Sequence, residues 1–455
     1  MKIGLLPLYI TLYDKVAIHY RKRLEPFYDT IAKLFEDKGL EVLKSGFCME
    51  EEDFEKAIAY FEAENCDAIV TLHTAYSPSL KSAKYLVNTK LPIIVCDTTE
   101  IEDFSDKQSP VEISYCHGIH GVMDMCNILK KNKKAYAIAA GHYLSSDVID
   151  RVVGFVKAAK SSKALFGSNV GSIGGCFEGM GDFQVPDETL KEMFNVNVVY
   201  PKAGEIAEIA KSVTDEEIEA EKERHKKEYK IMGEFDSALY NNSVKADITL
   251  KKWIKKHNLQ AFTINFNEIG ELPTMPFHGI CQAMSEGVGY AGEGDTLTAL
   301  LSGALLQGYK DTSFVEIFCP DWKNDTAFIS HMGEMNYSVA DGPIEFFEKN
   351  FIGGGKNPIT GTAAYRPGKA VFVNVFEDEN GFNLLIAPAT VIKETTDNFV
   401  KNIRGWLKFS KPLSSVLEKI SEYGATHHSV LVYDATAKEM AFFAKCLNIK
   451  PIVLD

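Results

Sequence analysis

Over residues 1–160 the apolar positions switch between two periods. Short apolar runs at Lys2–Leu8, Leu40–Leu43, Asp67–Leu72, Pro92–Cys96 and Lys134–Ala140 predict strands. Helical spacing between them predicts helices over Tyr13–Lys38, Glu51–Glu64, Leu80–Asn88, Ile119–Lys130 and Ser146–Lys160. Strands that alternate with helices of this length make βαβ units and a parallel sheet, which takes ligands at the carboxyl ends of its strands. Around Gly167–Gly181 the texture becomes a glycine-rich loop. The next segment, "TDEEIEAEKERHKKEYKIM", places acids first and bases later, which suits the helix dipole and predicts a solvated helix. From Ile248 to Gln307 the alternation resumes. "LQAFTINF" predicts a buried strand, and "DTLTALLSGALLQGY" a helix opened by Asp295 as its N-cap. After Asp311 the pattern is β-rich. "TSFVEIFC" and "DTAFISHM" predict strands, and "KAVFVNVFEDENGFNLLIAPATVI" a hairpin about "EDENG". The end reads strand–helix–strand. The expected organisation is α/β, with two α/β lobes over 1–162 and 163–311 and a β-rich C-terminal domain over 312–455.

Composition narrows the function classes. The 455 residues suggest about three domains at roughly 150 residues each. Hydrophobic residues at 45% and charged residues at 25% are ordinary globular values. With 49 Lys and Arg against 63 Asp and Glu, the net charge of −14 argues against nucleic-acid and anionic-membrane partners. No apolar run reaches the roughly 18 residues of a membrane span. The N-terminal stretch "MKIGLLPLYITLYDK" runs into Asp14 and Lys15, not into a small-residue cleavage site. The nine cysteines are odd in number, form no C-x-x-C pair and lie mostly in apolar runs such as "PIIVC" and "VEIFC". Reduced, buried thiols in a cytoplasmic protein are the expectation.

Two glycine motifs are decoys. "GVGYAG" at Gly287–Gly292 spells a dinucleotide fingerprint, but the segment before it reads as a helix where a strand is required, so a turn between two helices is expected. "IGGGKNP" at Ile352–Pro358 lacks the spacing and the hydroxyl residue of a phosphate loop. The informative chemistry lies elsewhere. Glu293 stands between glycines in "AGEGD", and Glu316 interrupts an apolar strand, where a charge is costly unless paired or bound to a cation. His331 follows at a strand end, and His427 and His428 head "HHSVLVYD". Neighbours in a strand point to opposite faces, so one of these two is expected at a given site. Two carboxylates and two imidazoles suit a divalent ion such as Mn²⁺, Co²⁺ or Fe²⁺ better than Ca²⁺ or a thiolate Zn²⁺ site.

The run "AFTINFNEIGELPTMPFHGICQAMSEGVGYAGEGDTLTALL", followed in order by "TSFVEIF", "SHMGEMN" and "GATHHSVLVYD", resembles the L-arabinose isomerase family. "DAIVTLHTAYSPS" and "AAGHYLSSDVIDRV" resemble its N-terminal motifs. The resemblance is thin over Lys163–Asn241 and Gly342–Ser410. It implies an L-fucose isomerase-like fold, with two Rossmann-like lobes and the β-rich domain. It implies a Mn²⁺-dependent aldose–ketose isomerase, with Co²⁺ as an alternative ion, assembled as a homo-hexamer or tetramer. By that resemblance Glu293, Glu316, His331 and His428 hold the metal. Glu293 and Glu316 also transfer protons through a metal-stabilised cis-enediol. Leu12, Tyr13 and Phe266 match sugar-pocket positions, and His73, His117 and His120 are candidates for groups offered to a neighbouring subunit. The sugar-contact loops depart from the family: "SQHLYG" is "YITLYD" here, and "FHTQFN" is "VCDTTE". The substrate class is therefore left as a pentose, hexose or deoxysugar. An epimerase or aldol-type lyase on the same metal site, or a non-catalytic sugar-binding protein of the same fold, are the alternatives.

Overall fold

The run Lys2–Leu8 is a strand, β1, followed by β2 (Glu41–Lys44), β3 (Ala68–His73), β4 (Ile93–Asp97) and β5 (Tyr136–Ala140). The structure, a computed structural model, describes residues 1–353, 355–393 and 398–455. Gly354 of the "IGGGKNP" run therefore lies outside the described residues. The chain divides into two units, one of Met1–Lys160 with Phe442–Asn448, the other of Ser161–Ala441 with Ile449–Asp455.

In the first unit the five strands run parallel in the order β2-β1-β3-β4-β5. Every residue of β3 is buried, as a strand covered on both faces requires. The core packs Leu6, Ile69, Ile93 and Val95 of the sheet against Phe54, Phe61, Met125 and Leu129 of the helices. The order reverses between β1 and β3, and such a switch point opens a crevice at the strands' carboxyl ends. The helix expected over Tyr13–Lys38 is two helices, Thr11–Val16 and His19–Asp37. The first is held across the end of β1 by the Tyr13 hydroxyl, 2.9 Å from His117 Nε2, and by an edge contact of Tyr13 with Tyr20.

The second unit begins with β6 (Asn169–Ile173), β7 (Asn197–Val199), β8 (Lys230–Ile231), β9 (Ala261–Ile264) and β10 (Gly289–Gly292). Four of these form a parallel sheet, β10-β9-β6-β7. Two glycine-rich stretches read as loop or turn are strands here. Gly171 lies in β6 because a Cβ there would come within 2.5 Å of the Trp253 ring. Gly289 lies in β10 because the helix Thr296–Leu306 rests on it, with Gly303 N only 2.1 Å from where a Cβ would stand. These glycines permit close packing.

The remaining strands are β11 (Thr312–Asp321), β12 (Thr326–Ser330), β13 (Ala340–Glu348), β14 (Ile359–Tyr365), β15 (Gly368–Asp378), β16 (Gly381–Ile392), β17 (Gly405–Phe409), β18 (His428–Tyr433) and β19 (Lys450–Val453). The order β15-β18-β11-β12-β17-β16 closes on itself through an antiparallel β15–β16 hairpin, and β19 adds in parallel to β16. Ile329, Phe372, Leu385, Leu407 and Leu431 fill this barrel. β13, β14 and β8 form a separate small sheet. The expected fold class is therefore present: parallel α/β sheets followed by a β-rich C-terminal part.

Two expectations change. The charged helix, Asp215–Glu228, opens on a Thr214–Glu217 capping box but is not simply solvated, because Ile218, Lys222 and His225 are buried. Its Glu221 and His225 approach His278 closely enough to hold a cation. The Arg224 guanidinium, bonded to Glu221 and 3.5 Å from His278 Nε2, already fills that place. Cys48, Cys66, Cys96 and Cys281 are buried, but Cys319 is exposed because β11 leaves the core beyond Glu316, and Cys176 is exposed in the loop after β6. Among the described residues no helix is long and apolar enough to cross a membrane.

Glu205 opens the helix Glu205–Lys211 with its side chain only 6% exposed, 2.6 Å from Lys256 Nζ and 2.8 Å from His257 Nε2. Burial pushes its carboxyl up, but these partners and the Lys202 N–H bring it down to about 2. A depressed carboxyl contributes stability above its ordinary value of 4.5 and loses it as pH falls towards 2. We expect Glu205→Gln to flatten the urea midpoint across that window, while the wild type declines. Parallel curves would mean that the pair contributes nothing.

Candidate metal centre

Glu293 stands at the turn from β10 into the helix Thr296–Leu306 with φ +63°, in the left-handed region. Its neighbours must be glycines. A Cβ on Gly292 would come within 2.8 Å of His331 Cε1, and one on Gly294 within 2.2 Å of Gly175 O. The backbone is pinned on both sides: Glu293 N–H donates to Ile264 O at 3.1 Å, and Phe177 N–H donates to Glu293 O at 2.9 Å.

Across the barrel, β11 pairs Glu316 with Ser330 of β12 on one side and with His428 of β18 on the other. This register brings Glu316, His331 and His428 to the same end of three adjacent strands. His331 Nε2 lies 3.8 Å from Glu316 Oε2, and His428 Nε2 lies 3.4 Å from Glu293 Oε2. Phe314 packs edge-on against both imidazoles.

Each imidazole is held from behind by a carboxylate. His331 Nδ1–H donates to Glu334 Oε2 at 2.7 Å, and Glu334 also accepts from Gly333 N and the Tyr290 hydroxyl. His428 Nδ1–H donates to Asp295 Oδ2 at 3.0 Å, while Asp295 Oδ1 caps the helix through Thr298 N–H at 2.8 Å. His427 Nδ1–H donates to Asp182 Oδ2 at 2.7 Å. A ring whose Nδ1–H is spent in this way turns the Nε2 lone pair forward, the arrangement found behind metal-ligating histidines.

His427 and His428 do not diverge as strand neighbours should. His427 precedes β18, so its ring lies only 4.2 Å from that of His428 and its Nε2 is also 3.4 Å from Glu293 Oε2. Two sets result, Glu293–His427–His428 and Glu316–His331–His428, each with its ligand atoms within 4.8 Å of one another.

Packed this closely, the ionisable groups shift one another. Burial raises the Glu293 carboxyl, but His427 and His428 outweigh it and hold the group below the usual carboxylate range. Burial wins at Glu316 and raises it despite the imidazoles. Burial lowers His428, yet Asp295 and Glu293 bring it up to about 9. Its Nε2 is buried without a hydrogen-bond partner, a cost that a bound divalent ion would remove.

Phe266 follows β9 and stacks on Phe177 at 5.1 Å, beside a cleft lined by Cys176, Asn265 and Glu268. The other expected sugar-contact residues belong to the first unit. Leu12 is 54% exposed and Tyr13 bonds His117, whereas His73, at the end of β3, is buried beneath Gly118 and Gly121. Four contributors at the centre escaped the sequence reading. Glu334 sits three residues after His331 and Asp295 two after Glu293, spacings that offered a signal. Asp182 and Phe183, which stacks on His428 at 5.0 Å, lie about 245 residues away and offered none.

Residues 188–307 match the L-arabinose isomerase central domain, and residues 311–450 match the L-arabinose isomerase C-terminal domain. L-arabinose isomerase 2 of Clostridium acetobutylicum is 24% identical over 98% of this chain and 94% of its own length. L-arabinose isomerase of Shouchella clausii is 23% identical over 97% and 91%. A periplasmic solute-binding protein from Actinobacillus succinogenes with bound D-allose aligns at a TM-score of only 0.17 and 11% identity, over 68% of this chain and 91% of that one. Two consecutive domain matches and relatives aligned along nearly the whole length lead to one conclusion: the chain belongs to the L-arabinose isomerase family of aldose–ketose isomerases.

Proposed function

We propose that this chain interconverts the aldose and ketose forms of a free pentose, hexose or deoxysugar. Mn²⁺, with Co²⁺ as a substitute, is held by Glu293, Glu316, His331 and His428. The observation that carries this reading is the convergence of two carboxylates with imidazoles that are each braced by a further carboxylate. The ion supplies Lewis-acid polarisation of the sugar's carbonyl and adjacent hydroxyl, which acidifies the intervening C–H. The proton work falls to the two glutamates. One takes the proton from C2 of the aldose, leaving a cis-enediol, and returns it to C1. The other moves the hydroxyl proton between the two oxygens.

Phe266 of the second unit and Leu12, Tyr13 and His117 of the first are the proposed sugar-binding groups, the latter set offered to a neighbouring copy in a homo-hexamer or tetramer; His73, buried beneath Gly118 and Gly121, is not presented to such a copy. Exposed Leu12, Val16 and Ile18 beside Tyr13 support such an interface. The three-domain division at residues 162 and 311 and a cytoplasmic location complete the reading. Its test is a panel of pentoses, hexoses and deoxysugars incubated with the Mn²⁺-loaded protein and followed by NMR. A ketose product from at least one aldose is expected. Epimers alone, or no product from any sugar, would sink the proposal.

A further inference from the structure

The loop between β6 and the helix Asp187–Phe194 grips the candidate centre with two consecutive residues: Asp182 holds His427, and Phe183 stacks on His428 with the rings only 14° apart. We infer that Asp182 is a positioning residue that acts through His427 to fix the Glu293 carboxylate. This rests on the isomerase reading of the site. It concerns a stretch where the family resemblance is thin.

One oxygen, Asp182 Oδ2, accepts two hydrogen bonds from the same residue, His427 N–H at 3.0 Å and Nδ1–H at 2.7 Å. Main chain and ring are thereby fixed together. His427 needs this more than its neighbour does. The His428 ring is fully buried, wedged between Phe183 and Phe314 and braced by the buried Asp295. The His427 ring is 32% exposed and lies just outside β18, beyond the strand ladder.

What the clamp orients is Glu293. Both imidazoles bring Nε2 to 3.4 Å from the same carboxylate oxygen, Oε2. Glu293 stands on a left-handed backbone between two glycines, so no side chain adjacent in sequence packs against it. Its carboxylate direction is therefore set from across the site, half of it by an imidazole that Asp182 holds. Phe177 N–H, on the same loop, ties down the Glu293 carbonyl, so loop and glutamate form one assembly.

The test is a double-mutant cycle on the full chain, with D182A, D182N, H427Q and both combined variants. Mn²⁺ affinity is read from the EPR signal of free Mn²⁺, alongside kcat and sugar KM. Losing an outer-shell partner typically costs about 10- to 100-fold in metal affinity or activity. We expect D182A to weaken Mn²⁺ binding and kcat by about 10-fold, with KM within about twofold of wild type. D182N, which keeps an acceptor oxygen for the His427 N–H, should fall between. In the H427Q background either Asp182 substitution should add less than about twofold, because the route through His427 is already cut. Losses that multiply fully in the double variants would overturn the inference, as would single variants that match wild type. Should D182A not fold, the D182N cycle decides. A wild-type chain that takes up no Mn²⁺ overturns the isomerase site as well. One that binds Mn²⁺ but shows multiplying losses overturns only the role of Asp182.

Discussion

Glu316→Gln and Glu293→Gln are each expected to lower turnover by about 10²-fold or more, the scale for loss of a general base. The substitution keeps the shape of the side chain and removes its proton acceptor. Glu316 sits in β11 between Ser330 and His428, where burial already disfavours a lone charge. Glu293 is held ionised by the two imidazoles at its Oε2. Because both are proposed ligands, bound metal must be measured in the same preparations. In D₂O the wild type should place solvent deuterium on the carbon that receives the proton. If no deuterium entered over many turnovers, the glutamate-base route would be gone, although the metal site would stand. Partial incorporation would mean that the same carboxylate returns a shielded proton.

The second large effect is expected from metal removal. EDTA should abolish turnover, and Mn²⁺ or Co²⁺ should restore it better than Ca²⁺ or Zn²⁺, since the donors mix carboxylate oxygen with imidazole nitrogen and include no thiolate. His428→Ala should cost more Mn²⁺ affinity than His427→Ala. The reason is burial and bracing: His428 Nε2 is enclosed without a hydrogen-bond partner and borders both ligand sets, whereas His427 borders one and is partly open to solvent. Full activity in chelated, metal-free protein would remove the site. Equal losses in the two histidine variants would remove the ranking.

The alternation of apolar runs made the first parallel sheet legible almost to the residue at β1, and Asp295 was readable as a cap because its hydrogen bond to Thr298 is local. What failed was information carried by neighbours distant in sequence. Gly171 and Gly289 looked like loop residues because nothing local reveals that Trp253 and the helix Thr296–Leu306 press on them. The opposite-face argument for His427 and His428 assumed that both lie in the strand, and β18 begins one residue too late for that. His225 looked solvated because its partner His278 lies on another helix, 4.5 Å away ring to ring. Glu293, Glu316, His331 and the His427–His428 pair stood out only as a group, and the family resemblance, not any single residue, singled out His428 within the pair. Asp182 did not, because an exposed-looking acid in a glycine loop has no signature until its partner is known.

Asp295 carries a further consequence. One of its oxygens closes the first turn of the helix Thr296–Leu306 and the other steadies His428. Fraying of that turn would therefore also weaken the brace behind the imidazole. A local opening that exposes the Thr298 amide would then also loosen the site, and a ligand that binds only the braced state would slow that exchange. The backbone amide of Thr298, buried and far from any sugar-contact position in the sequence, becomes a clock for occupancy of the centre.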